Sequence, residues 1–190
     1  MKPFDFVVTF FSFVFSLALA HLLLAIAHMI RHRREIVFDW AQALWMAAAL
    51  VLLITNWIDM WDLHTVAALP LAVVAVGFLF LITQYVACAL VSPRLDGEDG
   101  MDMHRFHEQQ GQAYIGSMAT VVIFAIAANL LAGTGINMTD WMRENAFVIA
   151  MLPAVIAPLI WRARWVQISA PIAFIALLVA VLVTIHPALR

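Results

Sequence analysis
Histidines carry most of the chemistry available to this chain. His21 falls inside a long apolar run, Phe4–Ile30, a little past its middle. An ionisable group at hydrocarbon depth is costly and marks a functional position by default. His28 follows on nearly the same helical face, about 10 Å further along, and His32 one turn beyond it. Gln84 and Ser117, in later apolar runs, match His21 in depth, as does Thr83, and Cys88 shares a face with Gln84. His21, Gln84 and Ser117 are therefore expected to line a polar track leading to His28, suited to protons or a small solute. The alternative is that these groups are interhelical hydrogen bonds and nothing more, worth about 0.6 kcal/mol each. No carboxylate lies near mid-membrane, so any proton relay must use His21 and water.

A second constellation sits at one mouth of the expected bundle. His28 and His32 are spaced i, i+4, His104 and His107 i, i+3, with Asp102 and Glu108 beside the second pair. Histidines at such spacing can chelate a transition metal from one helix face; a solvated helix start has the same composition. Haem in its bis-histidine form needs two axial ligands at matched depth. His21 has no deep partner, and His64 and His186 form the one outer-edge pair, so a haem ladder in the core is not expected. The sole lysine, Lys2, excludes a retinal Schiff base. At the opposite mouth Asn56, Asp59 and Asp62 recur every three residues beside His64, an acidic vestibule that attracts cations. Pro153 and Pro158 fall in one short apolar run and predict a kinked helix, a feature that lines solute sites in transporters.

The elements that hold these residues must be membrane helices. Hydrophobic residues make up 65% of the 190 and charged residues only 12%, against about 25% in an ordinary soluble domain. The net charge of −2 leaves no basic footprint for nucleic acid, and a single cysteine excludes an internal disulfide. A bilayer core takes roughly 20 helical residues. The expected spans are Phe4–Ile30, Trp40–Trp57, Val66–Val91, Gln112–Leu131, Ala146–Trp161 and Val166–Ile185. Lys2 and Ala18-Leu19-Ala20 imitate a signal peptide, but the apolar run continues to Ile30, so the first span reads as retained. Residues 1–190 form one domain, an all-α polytopic membrane bundle.

Loop charges set the orientation. Arg31, Arg33, Arg34, Arg94, Arg105, Arg162 and Arg164 lie in odd-numbered loops; Lys2, Arg143 and Arg190 lie opposite. The odd loops are expected in the cytoplasm, giving three hairpins with both termini outside. Asp39 with Gln42 has capping-box spacing. Pro70 opens the third span, Pro93 closes it, and Asp96–Gly100 is an acidic turn before a helix capped by Asp99 or Asp102. Ser12, Ser16 and Ala20 form a small-residue stripe suited to close helix contact. Most of the seven tryptophans stand near span ends, as an interfacial belt.

Three phrases carry a resemblance: Phe4-Asp5-Phe6 leading to Phe11-Ser12-Phe13 and Ala20-His21-Leu22-Leu23; Asn56-Trp57-Ile58-Asp59-Met60-Trp61-Asp62-Leu63; and Asp102-Met103-His104-Arg105-Phe106-His107-Glu108. Over most of its length the chain resembles a group of uncharacterised six-helix bacterial inner-membrane proteins. The resemblance implies a bacterial cytoplasmic membrane and six helices, and no activity. The residues point to a small channel or transporter for protons, a cation or a small polar solute. His21, Gln84, Ser117 and His28 would form its track, and Asp59 and Asp62 its outer attractor. A haem- or metal-binding oxidoreductase (metal at His28, His32, His104 and His107) and an accessory subunit of a membrane complex are the alternatives. The lipid bilayer is the expected partner, with a homo-oligomer or larger complex around it.

Overall fold
An apolar helix has one way to satisfy its backbone in lipid, which is to bond within itself. The computed structural model describes residues 3–60, 71–93, 102–132 and 137–185. They form seven helices: α1 (Pro3–Arg31), α2 (Trp40–Asp59), α3 (Leu71–Val91), α4 (Met103–Ala132), α5 (Met138–Glu144), α6 (Ala146–Ile160) and α7 (Arg164–Ile185). No strand occurs among the described residues; Val37 and Asp102 make one isolated bridge, in which the Met103 amide donates to the Val37 carbonyl at 3.0 Å. Asp62, His64, Pro70, Arg94, Asp96–Gly100, Asp99 and His186 lie outside the described residues.

Five helices, α1, α2, α3, α4 and α7, are long and apolar enough to cross a membrane. The short α5 and α6 meet at Asn145 with a 65° bend and make a sixth crossing if the pair is one broken span. By itself α6 reaches about 22 Å, short of a hydrocarbon core of about 30 Å. The sharp break falls at Asn145, not at either proline: Pro153 and Pro158 both lie inside the continuous α6. The broken joint is tied to α4 by side chains. Asn129 Nδ2 donates to Asn145 Oδ1 at 2.7 Å, and Trp141 Nε1 donates to the Asn129 carbonyl at 3.2 Å.

Caps explain some boundaries and overturn one expectation. Asp102 caps α4, its Oδ1 accepting from the His104 and Arg105 amides at 2.9 and 3.1 Å. Asn137 does the same for α5 through the Asp140 amide. The capping box expected at Asp39 and Gln42 does not form. Asp39 holds the extended N-cap backbone of α2, but its side chain makes no cap hydrogen bond. Both side chains are used elsewhere.

α2 is the central helix. It packs on α1, α3, α4 and α7, and half of its apolar window is buried, against 22% for α1 and α3. Its alanines Ala41, Ala48 and Ala49 are buried and let neighbours approach. α3 packs mainly on α4, α6 on α4 and α7, and α1 on α3. α1 turns Phe11, Phe15, Ala18 and Leu22 inward. The Ser12, Ser16 and Ala20 stripe is not the contact face, and Ser16 donates to the Ser12 carbonyl of its own helix. Trp45, Tyr114 and Phe174 fill the centre, with Trp45 centroid distances of 6.3 and 6.5 Å to the other two rings. Trp40, Trp57, Trp161 and Trp165 are exposed near helix ends, where an interfacial belt would stand; Trp45 and Trp141 are buried.

Candidate functional site
The start of α2, the end of α3, the start of α4 and the α6–α7 corner converge at one end of the bundle, called here the Asp39 end. Gln42 Nε2 donates to the Val91 carbonyl at 2.7 Å, joining α2 to α3. Arg164 Nη2 donates to Asp39 Oδ1 at 2.8 Å, joining α7 to α2. His104 completes the group: its Nδ1 lies 3.3 Å from Arg164 Nη1, and its Nε2 3.4 Å from Glu108 Oε1. A guanidinium only donates, so His104 accepts on Nδ1 and carries its proton on Nε2, toward Glu108.

A second chain of hydrogen bonds runs inward. Gln167 Nε2 donates to the Pro158 and Trp161 carbonyls at 2.8 and 3.1 Å, satisfying acceptors left over at the end of α6. That orients its Oε1 toward His107 Nε2 at 3.1 Å. His107 therefore donates from Nε2, and its Nδ1 accepts from the Tyr114 hydroxyl. The direction of every bond from Tyr114 to α6 is thus set by atoms that can only donate or only accept.

Asp39, His104, His107, Glu108, Arg164 and Gln167 line a cavity of about 500 Å³ between α2, α4, α6 and α7. Three buried polar atoms near the start of α2 lack a hydrogen-bond partner among the described residues: Asp39 Oδ2, Gln42 Oε1 and Trp45 Nε1; of these residues only Asp39 lines the cleft. They recur every three residues along one face of α2, from the cleft into the core. His104 Nδ1 lies 3.8 Å from Asp39 Oδ2. Buried polar groups are nearly always satisfied, so three in a row on one stripe set this end apart.

A smaller cavity of about 220 Å³ lies toward the opposite end, with Thr55, Asn56, Asp59 and Asn129 among largely apolar walls. Trp45, Met118 and Phe174 lie along α2, α4 and α7 between the residues that line the two cavities, and with Tyr114, packed on Trp45, they form a fully buried septum. Along α4 the cavities are reached at Ile115 and Val121, about 9 Å apart; along α2 at Ala41 and Leu52, about 16 Å apart.

The residues expected to form a polar track are not gathered into one. His21 is half-buried on the α1 flank, makes no hydrogen bond among the described residues, and meets the Tyr85 ring edge-on at a centroid distance of 6.3 Å. Gln84 is buried and turns toward α2, where its Oε1 accepts from Asn56 Nδ2 at 2.7 Å. Its Nε2 lies 3.9 Å from Cys88 Sγ. Ser117 and Thr83 donate to carbonyls of their own helices. Matching depth fixes height along the bundle but not azimuth, and at 3.6 residues per turn these side chains leave in different directions. Asp59 is half-buried and lines the smaller cavity.

The four histidines do not form a metal set either. The His28 and His32 rings lie tilted at 37° with centroids 6.2 Å apart, and His32 Nδ1 is engaged by the His28 carbonyl at 3.0 Å. Both ring nitrogens of His107 are committed. Among the described residues no three His, Cys, Asp or Glu side chains converge as a metal-binding group. Asp39, Gln42, Trp45, Tyr114, Arg164 and Gln167 build this region; the sequence pattern offered Asp39 and Gln42 only as a capping box and Arg164 only as a loop charge, and Tyr114 and Gln167 not at all. The available signal was Asp39 and Arg164, opposite charges at the edges of two apolar runs.

The chain matches no family model, no curated protein and no solved structure.

Proposed function
We propose that this chain is a small inner-membrane transporter or channel of bacterial type, passing a small polar solute between the two cavities. Its six crossings form three hairpins, with both termini outside and the Asp39 end in the cytoplasm. Arg31, Arg33, Arg34, Arg105, Arg162 and Arg164 at that end support this orientation through the positive-inside bias. The observation that carries the reading is the pair of cavities that approach one septum from opposite ends. In the closed form the rings of Trp45, Tyr114 and Phe174 block passage, and a shift of these rings joins the cavities. The charged cleft receives the solute on the Asp39 side, and Asn56, Asp59 and Asn129 provide polar atoms on the other.

The test is flux in proteoliposomes of the purified full chain. Protons, potassium and small neutral and zwitterionic solutes are each followed against protein-free vesicles. At least one should pass faster than the vesicle background, and Trp45→Ala or Phe174→Ala should raise that rate at unchanged helical content. If every solute stays at background for the native chain and for both folded variants, the conduction reading is wrong.

A further inference from the structure
Deepening the proposed function, we infer that the cleft at the Asp39 end is a binding site for a small zwitterion bearing an ammonium and a carboxylate, the amino-acid class. Asp39 lines the cleft, and its Oδ2 is a buried acceptor without a donor among the described residues. A carboxylate oxygen so placed calls for a donor, and an ammonium has three protons to give, a positive charge and no lone pair. Asp39 Oδ1 is already taken by Arg164, so one carboxylate oxygen remains for the ligand.

Asp39 and Glu108 face Arg162 and Arg164 around the cleft, so with neutral histidines its charges cancel. A net cation or a net anion would leave a charge uncompensated at the edge of an apolar bundle; a zwitterion does not. Arg162, exposed on the cleft wall, makes no hydrogen bond or ion pair among the described residues and is free to take the carboxylate bidentately. A volume of about 500 Å³ lies in the small-molecule range. Ala41, Ile115 and Pro158 give it apolar surface for a side chain.

The experiment is thermal stabilisation and equilibrium binding of the full chain in detergent, with the common amino acids one at a time at millimolar concentration. Ethylamine and propionate serve as single-charge controls. At least one amino acid should bind saturably and neither control should. Arg162→Gln, at an exposed position outside any helix, should weaken binding about tenfold or more without changing the fold. Asp39→Asn should do the same where it folds. The inference is overturned if no amino acid binds, if a control binds equally well, or if Arg162→Gln binds like the native chain. Flux of another solute without amino-acid binding would sink this inference alone; amino-acid binding without flux of any solute would sink transport and leave the site standing.

Discussion

The Asp39–Arg164 pair predicts an asymmetry that can be measured. The Asp39 side chain is 1% exposed and that of Arg164 is 60% exposed, so the two partners stand on opposite sides of a solvent boundary. Removing the arginine leaves a buried carboxylate with no hydrogen-bonded cation. Breaking a buried pair from one side costs about 3–5 kcal/mol, and because water reaches Arg164 the low end, about 3 kcal/mol, applies to Arg164→Met. Asp39→Asn removes the buried charge, keeps an oxygen that can accept from Arg164, and leaves a guanidinium that water can solvate. The loss is that of weakening one hydrogen bond, about 1 kcal/mol. With no charge left buried, the double variant should cost about 2 kcal/mol, so the cycle closes on a coupling of about 2 kcal/mol. Unfolding in mixed micelles with rising SDS, followed by far-ultraviolet circular dichroism, gives all four stabilities. If Arg164→Met costs no more than Asp39→Asn, Asp39 is not the buried, arginine-dependent anion described above.

Two packing predictions are checked in the same titration. At Gly77 an added Cβ would lie 3.1 Å from Phe11 Cζ and 3.2 Å from Phe11 Cε2, so Gly77→Ala needs only a small shift of a ring edge, whereas Gly77→Leu should cost about 1–3 kcal/mol and loosen α1 from α3. Equal stabilities for the two variants would show that α1 does not pack as described. The Asn56–Gln84 bond at 2.7 Å should show a coupling of about 0.6 kcal/mol, and no more than about 1.7, in a cycle of Asn56→Leu and Gln84→Leu; zero coupling would mean the two amides do not meet.

Helices were legible because hydropathy is one-dimensional. The expected Trp40–Trp57 and Val166–Ile185 became Trp40–Asp59 and Arg164–Ile185, and Asp102 caps α4 as one of the two candidates for that role. The segment expected as the fifth span was misjudged in kind. Two prolines drew attention to α6, yet the chain breaks at Asn145, where an asparagine side chain bonds across to α4. The site was not legible for a different reason. His21 stood out by its cost in hydrocarbon, but cost is set by azimuth as well as depth, and its flank meets a tyrosine ring rather than a polar neighbour. Asp39 had a local explanation as a cap, which concealed its bond to a residue 125 positions away. Likewise Gln167 is one polar residue in an apolar helix. Its role at the end of α6 follows only once α6 and α7 are folded against each other.

The two halves of the proposed site are joined by a single imidazole. Tyr114 belongs to the septum, where it packs on Trp45 at 6.3 Å, while Gln167 belongs to the cleft and to the end of α6. His107 bonds both, with one ring nitrogen each. Tyr114 therefore cannot swing away from Trp45 without either losing its bond to His107 or drawing that ring after it. Losing the bond leaves a buried ring nitrogen unpaired, which costs about 1–3 kcal/mol. Drawing the ring breaks its contact with Gln167 and frees the amide that holds the last carbonyls of α6. Either way, opening the septum alters the wall of the cleft. A solute in the cleft that prefers one of these arrangements must bias the septum by the same free energy, since a ligand shifts an equilibrium only by its differential affinity. In the proposed transporter, His107 would couple occupancy of the cleft to passage, without a carboxylate relay at mid-membrane.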